Sequence, residues 1–140
     1  MAVMILRTGC ALMYAGMLAA SSAMGQTCRA EVAGGAHIES ERYLLAFRTE
    51  PATPVVGSHF SVDFAVCAHP GQPLPESVRV DGYMPDHRHG MNYRPTVKVL
   101  AGGRYLAEGL MFHMPGRWDL IFEVRGDGKT DRVAHRIVLD

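Results

Sequence analysis

Apolar and polar residues alternate along most of the chain after residue 40, and this period of two is typical of β-strands. Every second residue from Phe60 to Val66 is a large apolar one, and the segment around Trp118 repeats the pattern. Helical periodicity is nearly absent from the same region. The alternation predicts seven strands, over residues 43–48, 60–66, 78–82, 96–100, 104–111, 118–124 and 133–139.

Proline and glycine residues punctuate the chain between these segments, for example at Pro51, at Pro115 and over 101–103. Short strands with turn signals every 8–12 residues or so are typical of an antiparallel β-sandwich of immunoglobulin type. We therefore predict an all-β fold for residues 41–140, preceded by an irregular arm over 26–40. If strand directions alternate, the loops at residues 50–57, 84–95 and 112–116 share one end of the sandwich.

The first 25 residues have the organisation of a cleavable secretory signal. Arg7 is followed by an apolar run from Cys10 to Ala20 and then by small residues up to Gly25. A permanent membrane anchor would need about 20 apolar residues, and this run is shorter. We therefore expect a mature chain that begins at Gln26, resides in the periplasm or is secreted, and has no stable membrane insertion.

Composition limits the classes of partner that the mature chain could bind. The whole chain has 14 basic and 14 acidic side chains, and removal of Arg7 with the leader leaves 13 and 14. Nucleic-acid-binding proteins carry a basic patch or stripe, for which this balance gives no indication. We therefore expect no nucleic-acid partner and no attraction to an anionic membrane surface.

Two cysteines, Cys28 and Cys67, remain after the leader is removed. In an oxidising compartment two cysteines most simply form a disulfide. The alternative is a pair of soft metal ligands, although the close cysteine spacing of zinc sites is missing here. The disulfide is the preferred interpretation.

The loops at 84–95 and 112–116 concentrate the side chains that bind soft metals. Three of the seven histidines lie in these loops, and all four methionines left after leader removal lie in or beside them. Thioethers select Cu(I), whereas imidazole serves Cu(I), Cu(II) and zinc, so the mixture points to copper. The predicted ligands are His87, His89, Met91 and His113, with Met84 and Met114 as substitutes or supporting groups.

Each of these residues also has a purely structural interpretation. Histidines in loops are commonly solvated, and methionines often fill gaps in a core, as we expect for Met111. Outside the two loops, His135 is expected to pack on an apolar strand face and His59 to lie near the site. His37 and His69 are expected at the surface.

The same residues resemble a known family over roughly residues 40–140. Met84-Pro85-x-His87-x-His89-Gly90-Met91 is followed by Gly103-x-Tyr105 and Met114-Pro115-Gly116-x-Trp118-x-Leu120, a pattern similar to that of the YtkA-like/FixH family. The resemblance implies a small immunoglobulin-like sandwich outside the cytoplasmic membrane. Some relatives, notably FixH, are linked to copper supply for terminal oxidases. FixH keeps a membrane anchor, so the resemblance does not extend to an anchored oxidase-assembly factor.

Two functions therefore follow from the sequence. The first is a periplasmic copper-binding protein, a carrier or buffer, that exchanges copper with a copper-handling protein of the cell envelope. The alternative is a metal-free protein–protein interaction module that uses its loops or edge strands. An enzyme is not expected, because no nucleophile-elbow motif occurs and the predicted amino terminus, Gln26, excludes a histidine brace there.

Overall fold

The computed structural model describes residues 28–140, which form two antiparallel β-sheets packed as a sandwich. The predicted leader, residues 1–25, lies outside the described residues. The helical structure within 28–140 is one 3-10 turn at Ala101–Gly103, and no helix there has the length and apolar character to cross a membrane. The strands are β1 (Ala36–Glu39), β2 (Tyr43–Glu50), β3 (His59–Ala68), β4 (Ser77–Met84), β5 (His89–Gly90), β6 (Thr96–Val99), β7 (Arg104–Met111), β8 (Gly116–Gly126) and β9 (Lys129–Leu139).

One sheet has five strands in the order β1-β2-β3-β7-β6, and the other has four in the order β5-β4-β8-β9. Each paired strand is antiparallel to its neighbour. All seven predicted strands are present, which confirms the all-β antiparallel sandwich.

The core lies between the sheets because alternate residues of each long strand point inward. In β8, Trp118, Leu120 and Phe122 have no exposed surface, so the alternating apolar residues of this segment belong to the core. Phe64 of β3 meets Phe122 edge to face with ring centroids 5.3 Å apart. Such contacts lock the two sheets together along their length.

Two strands were not predicted, and one of them corrects the description of residues 26–40 as an irregular arm. β1 pairs with β2 from Ala36 to Glu39. Within β1 only Ile38 is half-buried and the other residues are exposed, so the strand has no alternation of buried and exposed side chains. β5 has two residues, which is too short for any periodic signal.

The segment before β1 is fastened to the five-stranded sheet by the predicted disulfide, which is present. Cys28 and Cys67 are bonded with their Cα atoms 5.5 Å apart and 39 positions separated in sequence. Ala30 and Val32 pack beside Cys67 in a small apolar cluster apart from the main core. The disulfide thus holds the arm against β3.

The three loops that were predicted to share one end of the sandwich do so. The amide of Gly57, in the first loop, donates a hydrogen bond to the carbonyl oxygen of Phe112 in the third, at 2.8 Å. The middle loop reaches the third through His89 and His113, whose ring centroids are 5.1 Å apart. This end therefore carries the predicted ligands.

Candidate functional site

The hairpin between β4 and β5 positions the first two histidines. Met84 pairs with His89 across the ladder, and the residues between them form a tight turn. The amides of His87 and Arg88 donate to the carbonyl oxygen of Met84 at 3.3 and 2.8 Å. Arg88 takes the left-handed conformation, with φ of 58°, so the chain reverses at this residue.

Three imidazoles from the two loops are neighbours. The ring of His89 lies between the others, with centroid distances of 5.8 Å to His87 and 5.1 Å to His113. The rings of His89 and His113 are nearly parallel, at 27°. His87 is exposed at the tip of the hairpin, whereas His89 and His113 are half-buried. The structure thus brings together all three predicted imidazole ligands.

An aromatic floor underlies two of these imidazoles. The centroid of Trp118 is 5.3 Å from His113 and 5.8 Å from His89, and both imidazoles meet the indole edge to face. Phe112 stacks on the indole at 4.8 Å. The indole N–H donates to the carbonyl oxygen of Met114 at 2.9 Å, which ties the 112–116 loop to β8.

The hydrogen bonding of two imidazoles leaves nitrogen atoms suited to accept a ligand. Nδ1 of His89 lies 3.0 Å from the carbonyl oxygen of Gly90. When Nδ1–H donates to this oxygen, the lone pair is on Nε2, which is the arrangement common in metal-ligating histidines. Nδ1 of His113 is buried and has no hydrogen-bond partner. A buried polar atom without a partner costs free energy, which a bound ion or water would recover.

The methionines occupy the apolar side of the cluster. Met84 is 1% exposed and belongs to the main core. A Cβ atom built on Gly116 would lie 2.7 Å from the Met84 Cε atom, so this methyl group fills the space above the glycine. Met91 and Met114 are half-buried and pack against the same core. Met91 also covers Gly82, where a Cβ would lie 2.9 Å from its Cγ.

The acidic residues beside the cluster form ion pairs with arginines. Arg117 donates two hydrogen bonds to Asp86, at 2.5 and 2.9 Å, and Arg136 donates to Asp119 at 2.9 Å. The bonds from Arg117 hold the pKa of the Asp86 carboxyl below its ordinary value. Both carboxylates are therefore already compensated by a guanidinium charge. Within residues 28–140, no group of three or more His, Cys, Asp or Glu side chains converges on a common point as a metal centre does.

The remaining histidines make other contacts. His59 meets Tyr93 edge to face at 5.2 Å, at the same end of the sandwich. His135 packs against Phe47 at 5.0 Å, in keeping with its predicted packing role. Nε2 of His37 lies 3.2 Å from the carbonyl oxygen of Ala30.

The contact of Trp118 with the histidines was not predicted from the sequence, where Trp118 was noted only for the alternating segment and the family pattern that contain it. Its side chain meets His89 because β8 and β5 flank β4 in one sheet. That neighbourhood depends on strand order, which alternation within a strand does not encode. The available signal for the contact with His113 was the short Met-Pro-Gly-x-Trp segment, which places His113 five residues before Trp118 in the sequence.

Comparison with known proteins gives a family and a distant structural likeness. A family model described as YtkA-like matches residues 39–123, which is more than half of the chain. The crystal structure of a DUF4426 family protein from Pseudomonas aeruginosa PAO1 is similar at 13% sequence identity, with a TM-score of 0.47, over 79% of this chain and 99% of that chain. None of the curated proteins matches. The family match includes the whole hairpin of His87 and His89 and the 112–116 loop, and the chain belongs to the YtkA-like family.

Proposed function

We propose that this chain is an extracytoplasmic copper-binding protein, a carrier or buffer, whose metal is held by His87, His89 and His113 with thioether support. One observation carries the proposal. Three imidazoles from two separate loops are consecutive neighbours at one end of the sandwich, and a ring nitrogen of His113 is buried without a partner. If His113 had only a structural role, its buried ring nitrogen would be expected to have a hydrogen-bond partner.

The chemical character of the donors favours copper over other metals. Imidazole and thioether are neutral, and thioether ligands select copper, whereas structural zinc sites use thiolates. Both cysteines of the described chain are bonded to each other, so thiolate ligands are not provided there. The three methionines Met84, Met91 and Met114 supply the thioethers beside the histidines.

The separations of the ring centroids are close to those of imidazoles that share one ion. For two imidazole nitrogens bound to one ion at ~2.0 Å, tetrahedral geometry separates the ring centroids by ~5 Å. The observed separations are 5.1 and 5.8 Å. His87 is exposed and free to turn, and we propose that its ring swings inward when copper binds. An exposed ligand at the hairpin tip would also let a copper-handling envelope protein take the ion over.

Two further features support a location outside the cytoplasm. Disulfides such as Cys28–Cys67 persist in oxidising compartments and are rare in the cytosol. Residues 1–25 also have the organisation expected of a secretory leader. The proposed activity is binding and exchange of copper, without catalysis.

The test is a metal analysis of the full chain expressed with its own leader and recovered from the periplasm. We expect about one copper per chain by elemental analysis, and none after His87→Asn, His89→Asn and His113→Asn are combined. The matched control combines His37→Asn and His69→Asn, two histidines remote from the cluster, and should keep its copper. Stoichiometric binding by the triple variant would overturn the proposal.

A second candidate function is binding of a partner protein without metal. Apolar side chains on two edge strands favour it, because Val99 of β6 is 76% exposed and Val138 of β9 is 62% exposed. Edge strands with exposed apolar residues can accept a further strand from a partner. A ligand of the native state raises its stability. A melting temperature unchanged by Cu(I), Cu(II) and Zn(II) would therefore favour this candidate.

A further inference from the structure

We infer that the site selects Cu(I) over Cu(II) and Zn(II), with Met84 as the thioether ligand beside His87, His89 and His113, and with Trp118 packed beneath two of these histidines. The inference rests on the function proposed above, to which it adds the oxidation state of the metal and the identity of the thioether. Three independent features of the cluster lead to it.

The first feature is the position of Met84. It stands directly opposite His89 in the β4–β5 ladder, and residues paired in this way project from the same face of a sheet with their Cβ atoms about 5 Å apart. The Met84 methyl group reaches Gly116, three residues after His113. The thioether therefore extends from beside His89 towards the loop that carries His113, which neither Met91 nor Met114 does from an equivalent ladder position.

The second feature is the lack of compensating negative charge. The carboxylates of Asp86 and Asp119 are both engaged by arginines. Among residues 28–140, no group of three or more His, Cys, Asp or Glu side chains is arranged to hold a metal ion, so no carboxylate stands with the histidines in such a group. The Born cost of moving an ion out of water grows with the square of its charge, so a divalent ion costs about four times as much as a monovalent one. A neutral ligand set therefore favours the monovalent ion.

The third feature is the apolar floor. Trp118 and Phe112 have no exposed surface, and the indole lies under both His89 and His113. Cu(II) takes square-planar or tetragonal arrangements of nitrogen and oxygen ligands, commonly including water. The buried indole excludes water from the side of His89 and His113 that it covers. Cu(I) binds a small number of soft ligands without coordinated water, which suits a site that is closed to water on one side.

The experiment measures Cu(I), Cu(II) and Zn(II) affinities of the mature chain separately. Cu(I) is supplied without oxygen in the presence of ascorbate, which spares the disulfide, and its affinity is read by competition with a chromogenic Cu(I) chelator. We expect Cu(I) to bind at least a hundredfold more tightly than Zn(II), and Met84→Leu to weaken Cu(I) binding at least tenfold while leaving Cu(II) affinity unchanged.

The matched control is Met111→Leu, which removes a thioether at the end of β7 that is not proposed as a ligand. X-ray absorption of the Cu(I) form provides a second measurement, and its result for the wild-type chain does not depend on the folding of any variant. We expect a sulfur neighbour of copper in the wild-type chain and in Met111→Leu, and none in Met84→Leu.

Each outcome decides between the inference and the function on which it rests. Copper bound with no sulfur neighbour, or equal affinity for Cu(I) and Cu(II), would overturn the Cu(I) inference and leave a histidine copper site standing. Retention of the sulfur neighbour in Met84→Leu would assign the thioether to another methionine and overturn the ligand set. Failure of every metal to bind the wild-type chain would overturn the proposed function itself.

Discussion

Met84 and His89 lie directly opposite each other across the antiparallel ladder between β4 and β5. Because such partners share a face of the sheet, the half-buried histidine stands beside a thioether that is 1% exposed. The end of the Met84 side chain occupies the space above Gly116. A single hairpin therefore connects the packing of the core with the geometry of the histidine cluster.

The first prediction concerns Gly116, which has φ of 120° and a Cβ position 2.7 Å from the Met84 Cε atom. Gly116→Ala should strain the backbone and displace Met84, and over-packing of this kind costs about 1–3 kcal/mol of unfolding free energy. The control is Gly109→Ala, where φ is also positive, at 85°, but nothing lies within 4 Å of the added atom. Urea denaturation of both variants should show the larger loss for Gly116→Ala. Equal losses would mean that backbone strain alone matters at these positions.

The long strands could be predicted from the sequence because their inward positions carry large apolar residues at a strict period of two. β3 and β8 are examples, with Phe60 and Trp118 at the start of their buried rows. β1 and β5 could not be predicted in this way. Both are held by backbone pairing with a longer neighbour, and hydrogen bonds between main-chain atoms leave no trace in the side-chain pattern.

The candidate site was predictable in part, for a similar reason. Turn residues delimited the two loops, and alternation of strand direction placed His89 and His113 at one end. The inward orientation of Met84 follows from the alternation in β4. Its pairing with His89 depends on the turn at Arg88. The left-handed conformation of Arg88 could not be predicted, because it is usually adopted by glycine or asparagine. The contact of Trp118 with His89 depends on the order of the strands in the sheet, which the alternation within a strand does not encode.

The second prediction concerns the disulfide. Replacing Cys28 and Cys67 together by serine should lower the unfolding free energy by roughly 4 kcal/mol in the chain-entropy model, since the bond closes a loop of 39 residues. Cys67 is near the end of β3 and His59 is at its beginning, so the disulfide and the histidine cluster lie at opposite ends of the sandwich. Guanidinium denaturation should show the loss. Copper binding at temperatures where the variant is folded should stay unchanged, and its disappearance would show that the two ends are coupled.

The third prediction concerns Asp131, whose carboxylate accepts hydrogen bonds from the backbone and the guanidinium of Arg42. Burial opposes ionisation of this carboxyl, but the hydrogen bonds from Ser40 and Arg42 outweigh it and hold its pKa below the ordinary value. A carboxyl with a lowered pKa stabilises the fold above the pKa of the unfolded chain, and this contribution is lost as the pH falls towards the folded-state pKa.

Asp131→Asn should therefore reduce stability at pH 7, and the difference from the wild-type chain should shrink on acidification below about pH 4. Unfolding free energies at several pH values provide the measurement. Asp127→Asn is a suitable control, since Asp127 is exposed in the β8–β9 turn. A difference that stays constant from pH 7 to pH 3 would show that the ionised carboxylate is not what stabilises the fold.

The fourth prediction uses Trp118, the single tryptophan of the chain, as an internal reporter. Its indole is fully buried and contacts both His89 and His113, so an ion held by these imidazoles would lie within a few ångströms of the fluorophore. Copper quenches indole emission at such short range, and titration of the mature chain should therefore lower Trp118 fluorescence with a break near one equivalent. Combining His89→Asn with His113→Asn should abolish the quenching, whereas the His37→Asn and His69→Asn pair should leave it intact. Quenching that survives the loss of both cluster histidines would show that the copper is held by other ligands.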